Sequence, residues 1–269
     1  MKKRFLALAL ATVIAVVGLV GCGKKEVKTT EIKVGATTSP YGDILEFLVP
    51  ILEEEGITLE PIIVDSSATL NDALKAGDID ANFFQHMPYL KEWSSKHDFE
   101  YYASEPVHLG PVGFYSSKIE SIDELKDGAT IAVSDDPSNL YRQLLLLDKQ
   151  GVLEVTKGLD PTKVSLDSIK SNPKSLKFVE VPQAQIPRML PDIDGGLIVA
   201  SSALDAGLDV NKALFREEDA KDSIYSIVLV TKKGNEDNEA FKKLDEAIHS
   251  PEVKKFIEEK YKGAIIPAF

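Results

Sequence analysis

Apolar positions recur along this chain in two alternating rhythms, and the alternation predicts most of its elements. From Ile32 a short extended run reaches Gly35. Ile44, Leu48, Ile51 and Leu52 then share one helical face closed by Gly56, and a second extended run covers Leu59 to Val64. Thr69 to Ala76 reads as a helix ended by Gly77, Ile79 to Phe84 as a strand, and Pro88 as the opening of a helix through Lys96. A second round begins after Pro111. Val112 to Tyr115 is extended, Ser121 to Glu124 forms a capping box, Thr130 to Val133 is a strand, and Asp136-Pro137 starts a helix that stops at Gly151. Lys177 to Val181 and Gly195 to Val199 are further strands, Ser201 to Ala206 is a helix closed by Gly207, and Ser226 to Val230 is the last strand. Two helices remain, Glu236 to Ile248 and one with Ser250 as N-cap and Pro251 in its first turn.

Strands alternating with helices mean a mostly parallel sheet covered on both faces, the α/β class. Two such rounds predict two lobes, with the chain crossing near Leu109–Tyr115 and again near Ser223–Ile227. The first lobe is then residues 31–110 with 227–269, and the second residues 111–226. A ligand would lie in the cleft between them, beyond the carboxyl ends of the strands, where Phe83–His86 and Ser134–Arg142 both fall.

Ahead of this pattern, Met1-Lys2-Lys3-Arg4 precedes an apolar run from Phe5 to Val20 and then Gly21-Cys22. That is a secretory signal peptide, and Leu19-Val20-Gly21-Cys22 resembles a bacterial lipobox, cut before Cys22 so that its sulfur and amine are acylated. The run falls short of the roughly 20 residues that span a bilayer, which argues against an uncleaved anchor. Residues 1–21 are the leader and 22–30 a polar lipidated tether. The expected place is the extracytoplasmic face of the cell membrane. With the only cysteine committed to lipid, the mature chain has no disulfide and no thiol nucleophile. No second apolar segment follows, so the chain must bind, react or dock at the membrane surface. Loss of Lys2, Lys3 and Arg4 with the leader takes the formal charge from −12 to −15, which argues against nucleic acid and against adhesion to anionic lipid.

Two stretches carry candidate chemistry. Asn139 and Arg142 lie three apart in the first turns of the helix opened by Asp136-Pro137, beside free backbone N–H groups and the positive end of the dipole. A carboxylate there would meet a guanidinium fork, a side-chain amide and a helix N-terminus together; equally, Arg142 could pair internally with Asp135 or another acid. Asn82-Phe83-Phe84-Gln85-His86-Met87-Pro88-Tyr89 suits an apolar side chain with a polar end. Phe84 would pack against aliphatic or thioether groups while His86 and Tyr89 donate hydrogen bonds, or else these residues are plain core and His86 an interior histidine. His86, His97, His108 and His249 are too scattered for a preformed metal site. No nucleophile elbow, phosphate-cradling loop or dinucleotide fingerprint occurs, so the chain offers a binding cleft, no cofactor site and no recognisable catalytic machine.

The chain resembles the methionine-binding lipoproteins of the NlpA family, substrate-binding components of methionine-type ABC importers. The likeness rests on Gly77-Asp78-Ile79-Asp80-Ala81-Asn82 running into Phe84-Gln85-His86-x-Pro88-Tyr89-Leu90, on Asp136-Pro137-x-Asn139 with Arg142, on Asn172-Pro173-Lys174 and on Gln185-x-Pro187-Arg188, and it covers the mature chain. It implies a two-lobed, periplasmic-binding-protein-like fold of the second type, closing on one ligand. Arg142 and Asn139 would grip the α-carboxylate, with Phe84 and His86 around the side chain. The partners it implies are an ABC permease with its ATPase.

Three positions depart from the family pattern. An asparagine that helps to hold the amino group aligns with Val199, a tyrosine near the pocket with Ser67, and the asparagine before Asp136-Pro137 with Asp135. Asp135 either replaces the lost amino-group partner or caps the helix. The ligand classes that remain are methionine, a related amino acid, a short methionine-containing peptide and another carboxylate. The competing readings are a surface adhesion lipoprotein that keeps the fold without transport and, last, a surface hydrolase.

Overall fold

The computed structural model describes residues 30–221 and 223–269; the leader, Cys22 and the tether up to residue 29 lie outside them. Strand β1 (Thr30–Ala36) is followed by α1 (Asp43–Glu54), β2 (Ile57–Ile63), α2 (Leu70–Ala76), β3 (Ala81–His86) and α3 (Met87–His97), then two short strands, β4 (Tyr101–Ala103) and β5 (His108–Leu109). The periodicity of α1 works as its sequence implies: Ile44, Leu45, Leu48 and Leu52 are buried against the sheet. Gly77 ends α2 with φ of 90°, a conformation that costs a glycine little.

The chain then runs through a second round: β6 (Val112–Tyr115), β7 (Thr130–Ser134), α4 (Pro137–Lys149), β8 (Glu154–Val155) and β9 (Ile169–Ser171), which pair with each other apart from the main sheets, β10 (Lys177–Val181), α5 (Ile186–Met189), β11 (Gly195–Val199), α6 (Ala200–Asp205) and β12 (Phe215–Arg216). It returns through β13 (Ile227–Lys232), α7 (Glu239–Ile248), α8 (Pro251–Tyr261) and β14 (Ile266–Pro267). The first sheet has the order β14-β5-β13-β3-β1-β2, with β4 also on β13, and the second β10-β7-β11-β6-β12. Among the described residues no helix is long and apolar enough to cross a membrane.

Both sheets are mixed, a correction to the mostly parallel arrangement expected. β1, β2 and β3 run parallel, as do β7, β10 and β11, but β13 is antiparallel to β3 and β6 antiparallel to β11. β6 and β13 are the strands the chain makes immediately on crossing between sheets, where no helix intervenes to restore direction, and the short strands β4, β5, β12 and β14 also pair antiparallel. Thr30, read as tether, and Glu31 beside it pair with Ile57 and Thr58, because the ladder with β2 extends β1 past its apolar part. The last but one helix starts at Glu239 instead of Glu236, since Asn238 takes the cap through Oδ1, which accepts from the Ala240 and Phe241 N–H groups at 2.9 and 3.3 Å. Ser121 to Glu124 yields only a single 3₁₀ turn, Ile122–Glu124.

Two packing features set the cleft. β3 is buried along its whole length, and its two amide residues, Asn82 and Gln85, are paired in a buried cluster. Asn71 on α2 donates to Gln85 at 2.9 Å, while Asn82 and Gln85 donate to Asn71 Oδ1 at 2.9 and 2.7 Å. This cluster fixes α2 against β3 beneath the site. In the second sheet, Gly195 and Gly196 let β11 approach closely: a Cβ on Gly195 would lie 2.2 Å from the Phe114 ring, and one on Gly196 2.5 Å from Ile186.

Candidate ligand-binding cleft

The carboxyl ends of β3 and β7 face each other, and each runs directly into a helix. His86 is the N-cap of α3: its Nδ1 accepts from the Tyr89 N–H at 3.3 Å. Asp136 is the N-cap of α4, with Oδ1 accepting from the Asn139 N–H at 2.8 Å, the Ser138 hydroxyl at 2.6 Å and the Asn139 side-chain amide at 3.0 Å. Pro137 follows in the first turn, as its fixed φ and missing N–H favour. Gln143 ties the helix back, accepting from the Ser134 N–H at 2.7 Å and donating to Leu197 O at 3.0 Å.

Between these helix starts lies a cavity of about 710 Å³. Ser67, Phe84, His86 and Tyr89 line it from the first sheet's side, and Asn139, Arg142 and Val199 from the second's. The structure therefore brings all seven sequence candidates to one space, together with Asp135, Ser201 and Ser202. Asp136 takes the cap of α4, and Asp135 stands exposed on the cavity wall. Val199 is the residue before α6 and makes no side-chain cap there.

Since His86 Nδ1 is an acceptor, Nε2 carries the hydrogen and donates to Asn139 Oδ1 at 3.2 Å. Burial, and then the nearby Arg142 cation, lower its pKa to about 4, so the ring is neutral at neutral pH. A second bond crosses the cleft where the Thr38 hydroxyl donates to Asp205 Oδ1 at 2.8 Å.

Arg142 is 3 % exposed and has an internal partner, though not Asp135. Its Nε donates to the two Glu217 oxygens at 2.8 and 3.0 Å, Nη2 also donates to Glu217, and Nη2 donates to Gly110 O at 2.8 Å. The Tyr225 ring packs on the guanidinium, 5.0 Å from Cζ, and its edge meets His86 with centroids 5.3 Å apart. Burial pushes the Tyr225 hydroxyl up to about 12, so it stays protonated. Nη1 makes no hydrogen bond among the described residues.

Sequence reasoning missed Glu217, Tyr225, Asp205 and Trp93. Glu217 sits in an acidic run that reads as a solvated face, and the need of a buried arginine for an acid does not say which of many acids supplies it. Trp93 was findable: it follows Tyr89 at helical spacing on α3, lines the cavity and stacks on His97 at 4.1 Å.

The family profile described as NlpA lipoprotein matches residues 32–269. The chain belongs to the NlpA lipoprotein family. Among its relatives, the methionine-binding lipoprotein MetQ of Bacillus subtilis is 34 % identical over 99 % of each chain. A nutrient-binding protein from Burkholderia cenocepacia, solved bound to methionine, is 36 % identical, with a TM-score of 0.84 over 88 % of this chain and all of that one. The periplasmic substrate-binding protein of an ABC transporter from Coxiella burnetii is 34 % identical, with a TM-score of 0.82 over 88 % of this chain and all of that one. This NlpA family member thus has the two-lobed periplasmic-binding-protein-like fold, and its relatives are non-enzymatic substrate-binding lipoproteins, a membrane-associated, extracytoplasmic class.

Proposed function

We propose that the chain is the solute receptor of a methionine-type ABC importer and takes methionine, a related amino acid or a short methionine-containing peptide by its carboxylate. The reading rests on Arg142: Glu217 and Gly110 occupy Nε and Nη2, which leaves Nη1 without a protein partner among the described residues, and Arg142 lines the cavity together with Asn139 from the same helix. A carboxylate is the ordinary complement of such a group. Phe84 and Tyr89, with ring centroids 6.0 Å apart, give an apolar wall for the side chain.

The charge on the walls narrows the class. Among the described residues, Asp65, Glu92, Asp135, Asp136 and Asp205 line the cavity against Arg142 and Lys96. A purely anionic solute would face this excess of acid, whereas a zwitterion brings a cation to meet it. An amino group therefore belongs to the ligand, with Asp135 or Asp205 in place of the carboxamide that Val199 lacks. The residues 31–110 with 227–269 form one closing body and 111–226 the other. Cys22, acylated, anchors the receptor at the membrane for delivery to a permease and its ATPase.

The test is thermal unfolding of the purified protein against L-methionine, D-methionine, glycyl-methionine, other amino acids and succinate. A ligand at 100 times its Kd adds about 2.7 kcal/mol. A rise with a methionine compound, absent in Arg142→Ala, is expected. A rise with succinate alone would replace the zwitterion by a plain dicarboxylate, and no rise across the panel in folded protein would end the receptor reading.

A further inference from the structure

Arg142 is gripped from one side. Glu217 follows β12, and its backbone N–H donates to Val112 O at 3.0 Å. Its side chain is also fixed, because the Val112 N–H donates to Oε2 at 2.8 Å. The carboxylate is thus held by β6 at both levels before it meets the arginine. Glu217 is absent from the wall of the large cavity. It lines a separate hollow of about 220 Å³ on the far side of Arg142, with Lys149 and Tyr225. Approached from there, the guanidinium gives up its Nε edge and both hydrogens of Nη2, one to Glu217 and one to Gly110 O.

We propose that Glu217 is the positioning residue of the carboxylate site, holding Arg142 by its Nε edge from behind so that Nη1 is the donor presented to the cleft. The proposal rests on the reading above, in which Arg142 takes the ligand's carboxylate. Flanked by Gly110 O and the Tyr225 ring, the guanidinium plane has one orientation, and a ligand meets a donor that needs no reorganisation.

Geometry and charge predict opposite signs for the loss of Glu217. As a mere counter-ion, it weakens Arg142's pull on an anion, so its removal would tighten carboxylate binding. As a positioning group, its removal frees the guanidinium to turn, and binding falls.

The experiment is titration calorimetry of the purified protein and its Glu217→Gln and Glu217→Asp variants with L-methionine and L-methioninamide, folding being checked by circular dichroism. Methioninamide keeps the amine and side chain and lacks the carboxylate. Glu217→Gln is expected to weaken L-methionine at least tenfold while methioninamide stays within twofold, and Glu217→Asp, which keeps the charge on a shorter arm, to recover part of the loss. Should Glu217→Gln not fold, Glu217→Asp carries the same comparison. Tighter or unchanged methionine binding overturns the proposal, as does an equal loss for both compounds. A failure of the underlying reading appears with Glu217 intact: wild-type protein that treats the two compounds alike, or that binds no member of the thermal-unfolding panel, removes the carboxylate grip and the positioning role with it; a panel member other than methionine, paired with its own amide, takes the place of methionine in the comparison.

Discussion

His86 ends β3 of the first sheet, Asn139 lies on α4 after β7 of the second, and the two meet across the cleft, Nε2 to Oδ1 at 3.2 Å. Nε2 can donate this bond in either protonation state; the neutral ring is required by Nδ1, which accepts from the Tyr89 N–H at 3.3 Å, and burial with the Arg142 cation enforces that state by lowering the pKa to about 4. His108, fully buried with neither ring nitrogen hydrogen-bonded among the described residues, is lowered by burial to about 3. For both groups the unfolded chain, with a histidine pKa of about 6.5, binds a proton at a pH where the folded chain does not.

Stability is therefore full above about pH 6.5 and is lost as the pH falls towards 4, each group contributing a slope of up to about 1.4 kcal/mol per pH unit. His249 acts the other way, because hydrogen bonds to Asp245 outweigh its burial and raise its pKa. Urea unfolding at pH 7, 6 and 5 should give a declining series, less steep in His86→Gln. A flat series would mean that neither histidine is held neutral.

Arg142→Lys should cost both binding and stability. Lysine cannot supply the planar fork that spans Glu217 and Gly110 O, and it leaves no second donor for the cleft. Arg142→Ala is the more severe, since it strands the half-buried Glu217 without its cation, a loss of about 1.5–3 kcal/mol for charged hydrogen bonds. Denaturant midpoints for the two variants should rank Lys above Ala, with methionine binding weakened in both by calorimetry.

Val199→Asn carries two separable effects. The backbone there is extended, φ −72° and ψ 146°, and directly precedes α6, so an asparagine can cap the helix and add about 1 kcal/mol without any ligand. The same carboxamide also reaches the cleft wall, and methionine affinity is expected to rise strongly. Calorimetric Kd values isolate the second effect from the first. Unchanged affinity alongside a raised melting temperature would leave the cap alone and would sink Val199 as a determinant of selectivity.

Gly195→Ala tests the close approach in the second sheet. The added methyl would meet the Phe114 ring at 2.2 Å, and that ring is itself stacked on Phe215 at 5.2 Å, so it has little room to yield. Overpacking of this kind costs about 1–3 kcal/mol, readable as a fall in urea midpoint. An unchanged midpoint would mean that Phe114 moves freely.

What was legible in the sequence was whatever a residue's near neighbours decide. Asp136-Pro137 starts α4, Ser250-Pro251 starts α8, and β10 and β11 have the bounds that their apolar runs imply, because capping and periodicity act within a few positions. The short strands β4, β5 and β14 carry no such local signal; they are extended because β13 and β5 offer them an edge. The cleft candidates came together for a similar reason: His86 and Asn139 each belong to a strand-to-helix corner that can be read locally, and only their 3.2 Å meeting is tertiary. Glu217, 75 residues beyond Arg142, has a role set entirely by that long-range approach.

The position of β13 between β5 and β3 has a consequence for the order of assembly. Residues 227–232 enter the middle of the first sheet, yet they are made after the whole of the second sheet. Until they emerge, β3 has a bare edge on the side of the molecule that synthesis began with, and the cleft floor formed by its last residues has no backing. Closure of that gap joins segments more than 140 positions apart, the kind of late, long-range pairing that slows folding. A chain halted before residue 227 would present the unpaired edge of a buried strand to its neighbours, a liability for aggregation.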